Sequence, residues 1–357
     1  MIIVLTITTL IGCHKSEEAF EDVLPGSGKT IGLALPTQQS QRWINDCENM
    51  KIRLEELGYV VYDQFAENDV NRQIAQIEGF IEQQVDCLVI AAVDSYALGN
   101  ILKKAKNANI PIISYDRLLM DTDAVCYYAT FDNKMVGSII GKEIVEQAQL
   151  DDIRGTGQSR TIEFFMGSPN DNNAIMFYNG IMEVLKPYLD DGTLICKSGR
   201  ITFNETAIIQ WSEKIASDKC SRLLKTHYKN EDLDICASVF DGFAYGCKTA
   251  LENAGYTEKN WPIITGQDAD LKACKNILEG KQTSSVYKDT RVLAEKCVTM
   301  VNAVCNGSTP EINDIDQYNN RVITVPAYLC TPVIINKDNL EEVIIDGGYY
   351  TKNDLIK

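Results

Sequence analysis

Cys87-Leu88-Val89-Ile90-Ala91-Ala92-Val93 is an unbroken apolar run, and Asp94 follows it at once. A run of this length, bounded by polar residues, reads as a strand covered on both faces, as in a parallel sheet. A carboxylate directly after it sits where open parallel sheets carry their ligands, outside the carboxyl ends of the strands.

The pattern repeats outward from this run. Upstream, Thr30 to Pro36 (TIGLALP) reads as a strand. The positions Trp43, Cys47, Met50, Leu54 and Leu57 recur at helical spacing, and Gly58 ends them. Tyr59 to Phe65 is a second strand, and Ile74, Ile77, Phe80 and Ile81 mark a second helix. Downstream, Leu98, Ile101, Leu102 and Ala105 give a third helix. Ile110 to Asp116 and Tyr127 to Asp132 are further strands. Near Thr161 the alternation restarts: TIEFFMG, a helix over Asn173 to Lys186, TLICKSG, a helix over Ala207 to Lys225, ICASVFD, a helix over Gly242 to Ala254, and PIITGQD. Alternating strands and helices imply parallel sheets with helices on both faces. Two successive series in 357 residues predict an α/β protein of two doubly wound lobes.

The strand ends share a chemistry. Asp94, Asp116 with Arg117, Asp132 with Asn133, Asp241, and Gln267 with Asp268 each close a strand. Any one Asp at such a place is a ready helix cap. Their recurrence points to a polar cleft shared by the two sheets.

The bulk chemistry excludes several classes. The net charge is −16, which a nucleic-acid backbone or an anionic lipid surface would repel. His14 and His227 are the only histidines, too few for a histidine-rich metal site. The string GSGKT (Gly26 to Thr30) lacks the glycine a P-loop needs at Val23, and it precedes a strand instead of following one. Of the 12 cysteines none are spaced CxxC and most lie in apolar runs, so no zinc site is expected. No metal, cofactor or catalytic constellation is read from the chain, and a two-carboxylate glycosidase finds no nucleophile signature.

The N-terminus reads as an address. Residues 1–12 (MIIVLTITTLIG) are apolar but too short to span a bilayer, which suits a signal peptide. Leu10-Ile11-Gly12-Cys13 resembles the bacterial lipobox, which implies lipidation of Cys13 and an anchor on the outer face of the cytoplasmic membrane. Residues 13–29 then read as a flexible tether.

Taken in order, QRWIND (41–46), AQIEGFIEQQVDCLVIAA, ISYDR (113–117), ATFDN, GSPNDNNA (167–174), TGQDAD, VYKDT (286–290) and DGGYY (346–350) are similar to the class I periplasmic sugar-binding proteins, in particular the xylose-binding and multiple-monosaccharide-binding branch. The resemblance implies a monomer with a three-segment hinge, with crossings placed near Asp132, Asp268 and Val325. The first lobe would hold 30–132 plus 269–325 and the second 133–268 plus 326–357. It further implies that Arg42, Trp43, Asp116, Arg117, Asn173, Asp241, Asp268 and Lys288 bind an aldopentose or aldohexose between the lobes. Trp211 would contribute a ring from the far lobe, and Asp94, Asp171 and Gln267 form a second tier. The residue types suit a sugar: hydroxyls donate and accept, and rings cover its C–H faces. The implied partners are the permease and ATPase subunits of an ABC importer or, alternatively, a membrane chemoreceptor or sensor kinase. A sugar-responsive repressor shares the fold but would need a DNA-binding domain where this chain has its apolar leader.

Overall fold

The computed structural model describes residues 24–356, so the leader, Cys13 and most of the expected tether lie outside the described residues. Among the described residues no helix is long and apolar enough to cross a membrane. Residues 24–29, expected to be part of the tether, are instead held against the first lobe. The Gly26 amide donates to the Leu57 carbonyl (2.8 Å), and Lys29 Nζ donates to the Cys305 carbonyl (3.0 Å).

The first sheet contains β1 (Thr30–Leu35), β2 (Val60–Phe65), β3 (Cys87–Ile90), β4 (Ile112–Tyr115), β5 (Val125–Phe131) and, from far along the chain, β11 (Ala327–Cys330). Their order is β11-β5-β4-β3-β1-β2, and every pairing is parallel. β3 occupies the interior, paired to β1 and β4, and all four of its residues are buried. That is why its sequence shows no polar alternation. Two apolar layers flank this sheet. One is built on Met50, Leu54, Leu293 and Val301, the other on Ile77, Phe80, Leu102 and Tyr318.

The second sheet contains β6 (Arg160–Phe165), β7 (Leu194–Ile195), β8 (Ile235–Ser238) and β9 (Ile263–Ile264) in the order β7-β6-β8-β9, again parallel. β10 (Ser284–Tyr287) continues it beside β9: Thr283 N donates to the Ile264 carbonyl (2.8 Å), and Gln267 bridges Val286 in parallel. β12 (Val333–Asn336) pairs antiparallel with β10.

These pairings move two expected lobe boundaries. The chain passes between lobes at Asp132, at Lys288–Asp289 and at Thr331–Pro332. The second crossing was expected near Asp268, but the helix Leu271–Leu278 and β10 stay with the second lobe, where Ala269, Cys274, Ile277 and Tyr287 share a core with Ile335, Leu340 and Ile344. The third was expected near Val325, but β11 adds to the edge of β5 in the first lobe. The helix expected over Ala207 to Lys225 is also interrupted. Gln210 and Trp211 have φ of 57° and 53°, and the helix proper is Glu213–His227, capped by Ser212.

Candidate functional site

The carboxyl ends of both sheets face a cleft of about 980 Å³. Its first-lobe wall is charged. Arg42 stands in the first turn of the helix Gln41–Glu56. Its guanidinium pairs with Asp116 at close range, with Asp268 Oδ1 (3.3 Å) and with Asp46 Oδ2 (3.4 Å). Asp268 comes from the second lobe, so this one arginine ties the lobes together. Burial opposes its charge, but Asp116, Asp268 and Asp46 outweigh that and hold its pKa above the ordinary value.

Asp116 follows β4 in the left-handed region, at φ 58°. Its backbone is held there by three donors on one carbonyl: Tyr128 Oη, Thr130 Oγ1 (3.0 Å) and Asn173 Nδ2 (2.8 Å). Burial works against its ionised form, but Arg42 and then Lys288 reverse the balance and lower its pKa. Arg117 reaches Asp171 Oδ2 across the cleft (Nε, 3.0 Å) and donates to the Ala92 carbonyl (2.9 Å). Trp43 lies beneath both arginines, 4.9 Å from the Arg42 guanidinium carbon and 5.2 Å from that of Arg117. Cation–π contact of this kind fixes the direction of two long side chains.

The second-lobe wall is largely aromatic. Trp211 stacks on Phe243 (5.6 Å, 12°) and meets Phe240 (5.7 Å) and Phe177 (6.4 Å) edge to face. It comes close enough to Gly167 that a β-carbon there would overlap the indole. Lys288, almost fully buried at the second crossing, donates to Asp268 Oδ1 (3.0 Å). Asn173 is held by Asn133 Nδ2, which donates to its Oδ1 (2.9 Å), and that oxygen lies 3.1 Å from Tyr128 Oη. Asp171 caps the helix that begins at Asn172, and burial raises its pKa against the pull of Arg117.

The cleft thus gathers Arg42, Trp43, Asp116, Arg117, Asn173, Trp211, Asp268 and Lys288, together with Asp171 and Gln267. Two expected residues are placed elsewhere. Asp94 is set back, its Oδ1 accepting from the Tyr96 amide (2.8 Å) in a local turn. Asp241 is completely buried, and its carboxylate points into the second lobe. It accepts from Gln282 Nε2 (2.8 Å), Ser285 Oγ (2.8 Å) and the Asp270 amide (3.1 Å). Its neighbour Phe240 lines the cleft instead. Asp241 therefore braces the loop that carries Asp268 and does not face a ligand. Sequence reasoning also missed Phe177, Tyr349 and Tyr350 as lining residues. The two tyrosines stood in the quoted DGGYY motif, but only long-range folding brings that tail to the cleft.

Two lobes, each a parallel sheet with its carboxyl edge on a shared cleft, and three crossings between them define the class of the type I periplasmic binding proteins. The chain belongs to the periplasmic binding protein family, whose domain model matches residues 31–309. It is 41% identical over 328 residues to the multiple sugar-binding periplasmic receptor ChvE of Rhizobium radiobacter, covering 91% of this chain and 92% of that one. It is 33% identical to the D-xylose-binding periplasmic protein of Escherichia coli, again covering 91% and 92%. Among solved structures, an ABC transporter solute-binding protein from Clostridium phytofermentans with bound β-D-glucose is 44% identical, with a TM-score of 0.87 over 92% of this chain and 100% of that one.

Proposed function

We propose that the protein is an exported solute-binding protein that captures a neutral monosaccharide of the glucose and xylose class in its interlobe cleft, performs no chemistry on it, and delivers it to an ABC importer. The observation that carries this reading is the opposition of two walls. Arg42, Asp116 and Arg117 offer charged donors and acceptors on one side, and Trp211, Phe240 and Phe177 offer ring faces on the other. A pyranose has both surfaces, an equatorial belt of hydroxyls and C–H faces. The relatives whose names and bound ligands are glucose, xylose or several sugars support the class of ligand. Export and an anchor through Cys13 rest on the leader and on the family's periplasmic setting.

Arg42, Arg117, Asp171 and Asp268 bridge the lobes, so a sugar held among them completes its contacts only when the cleft is shut. That difference in affinity shifts the population toward closure. Calorimetry with D-glucose, D-xylose, D-galactose and L-arabinose is the test. At least one should bind with 1:1 stoichiometry and raise the melting temperature in proportion to its saturation. No heat and no thermal shift with any neutral monosaccharide would refute the assignment.

A further inference from the structure

Away from the cleft, three thiols from three separate elements converge inside the second lobe. Cys220 lies on the helix Glu213–His227, Cys236 in β8 and Cys247 on the helix Asp241–Asn253. Their sulfurs all lie within 4.8 Å of one another, and all three residues are completely buried. The two helices can approach this closely because Gly246, beside Cys247, has no side chain; a β-carbon there would sit 2.6 Å from the Glu213 carbonyl oxygen and 2.8 Å from the Ser217 nitrogen. Leu223, Leu224, Ile235 and Leu251 belong to the same apolar cluster, so the site is dry.

The geometry points to a three-sulfur site for one soft d10 cation, with Cu(I) the best fit. A cation bound at about 2.3 Å from each of three sulfurs holds them roughly 4 Å apart. Closing the cluster to that size moves each sulfur by only about half an ångström. Among the described residues no histidine or carboxylate joins the three as a fourth donor. Thiolates select soft cations, and Zn(II) in a closed protein site takes four ligands whereas Cu(I) is satisfied by three. Binding is an exchange without redox: three S–H protons leave and three S–Cu bonds form. Lys219, adjacent to Cys220 in sequence, is buried and donates to the Phe164 (3.0 Å) and Thr206 (2.8 Å) carbonyls. Because no two of these cysteines are close in sequence, no spacing motif announces the cluster.

The test uses the full chain produced under nitrogen in copper-supplemented cells and then washed with a Cu(I) chelator. The expected result is one copper per chain, with the luminescence of a Cu(I)–thiolate centre shielded from water. The variant carrying Cys126→Ser, Cys196→Ser and Cys305→Ser, which removes the exposed and half-exposed thiols among the described residues, should keep that copper. Cys236→Ala should lose it while its sugar affinity stays that of the parent, because none of the three thiols lines the cleft. Copper-free parent protein, copper retained by Cys236→Ala, or copper lost with the surface thiols would each overturn the assignment. Should Cys236→Ala fail to fold, X-ray absorption on the copper-loaded parent decides. Three sulfurs in one shell support the site, and any other count, or a nitrogen or oxygen neighbour, refutes it.

Discussion

Replacing Asp116 by Asn isolates one charge at the centre of the cleft. The exchange is isosteric, and Asn tolerates the left-handed backbone that Asp116 adopts at φ 58°. The backbone carbonyl that receives Tyr128, Thr130 and Asn173 is untouched, so the scaffold should persist. What disappears is the ionised partner of Arg42, whose remaining carboxylates stand at 3.3 Å (Asp268) and 3.4 Å (Asp46). A hydrogen bond to a charged group contributes about 1.5–3 kcal/mol. The sugar Kd should therefore rise roughly 10- to 150-fold. Calorimetry on whichever sugar binds the parent measures this, with circular dichroism to confirm folding. Since Asp116 acts partly by orienting Arg42, Asp116→Asn and Arg42→Gln together should cost less than the sum of the two alone. A folded Asp116→Asn protein with a Kd within about twofold of the parent would remove Asp116 from the binding site and with it the geometric argument for the charged wall.

Burial lifts the Asp46 carboxyl to about 7 despite Arg42 and Tyr115, so between its unfolded pKa near 4 and about 7 the folded state holds a proton that the unfolded chain has released. Stability should fall as pH rises through that window, and Asp46→Asn should flatten this part of the slope, read as melting temperature against pH for the two proteins. Trp211→Ala removes the ring opposite the arginines and should weaken sugar binding by about 2 kcal/mol, roughly 30-fold, in calorimetry. A β-carbon at Gly180 would overlap the Lys134 carbonyl where the helices Asn133–Gln147 and Asn172–Asp190 cross. Gly180→Ala should cost about 1–3 kcal/mol in denaturant unfolding and leave the sugar Kd unchanged once folded. Cys13→Ser should abolish lipid labelling and release the protein from the membrane fraction; retention with unchanged processing would refute the anchor.

The interior of each sheet was legible because burial on both faces leaves a mark on the sequence: Cys87 to Ile90 and Ile235 to Ala237 are apolar throughout. The edges were not. TLICKSG, at the edge, and PIITGQD, beside β10, shrink to two-residue strands, Leu194–Ile195 and Ile263–Ile264. Ser284–Tyr287 and Ala327–Cys330 carry no strand signal strong enough to say which lobe they join, and that is why two crossings were misplaced. At the site, strand-end carboxylates were readable as a group, but a single residue of register separates Phe240, which faces the cleft, from Asp241, which does not. The helix pattern around Trp211 gave no warning of two consecutive left-handed residues, yet that break aims the indole across the cleft.

The charges of the cleft also bear on what it can hold. Arg42, Arg117 and Lys288 line it and pair with Asp116, Asp171 and Asp268, and Glu67, Glu213, Asp270 and Lys214 also border it. An unpaired buried charge is far more costly than a paired one. A sugar acid or sugar phosphate entering this cleft would bring a charge with no unpaired cation to meet it among the described lining residues, because Arg42, Arg117, Lys288 and Lys214 each already have a carboxylate partner. A neutral sugar brings only hydroxyls, which can insert between existing pairs, accepting from the cation and donating to the carboxylate. Two of those pairs, Arg42 with Asp268 and Arg117 with Asp171, span the lobes. Under the proposed function, the pairing that favours an uncharged ligand would therefore also couple its capture to closure.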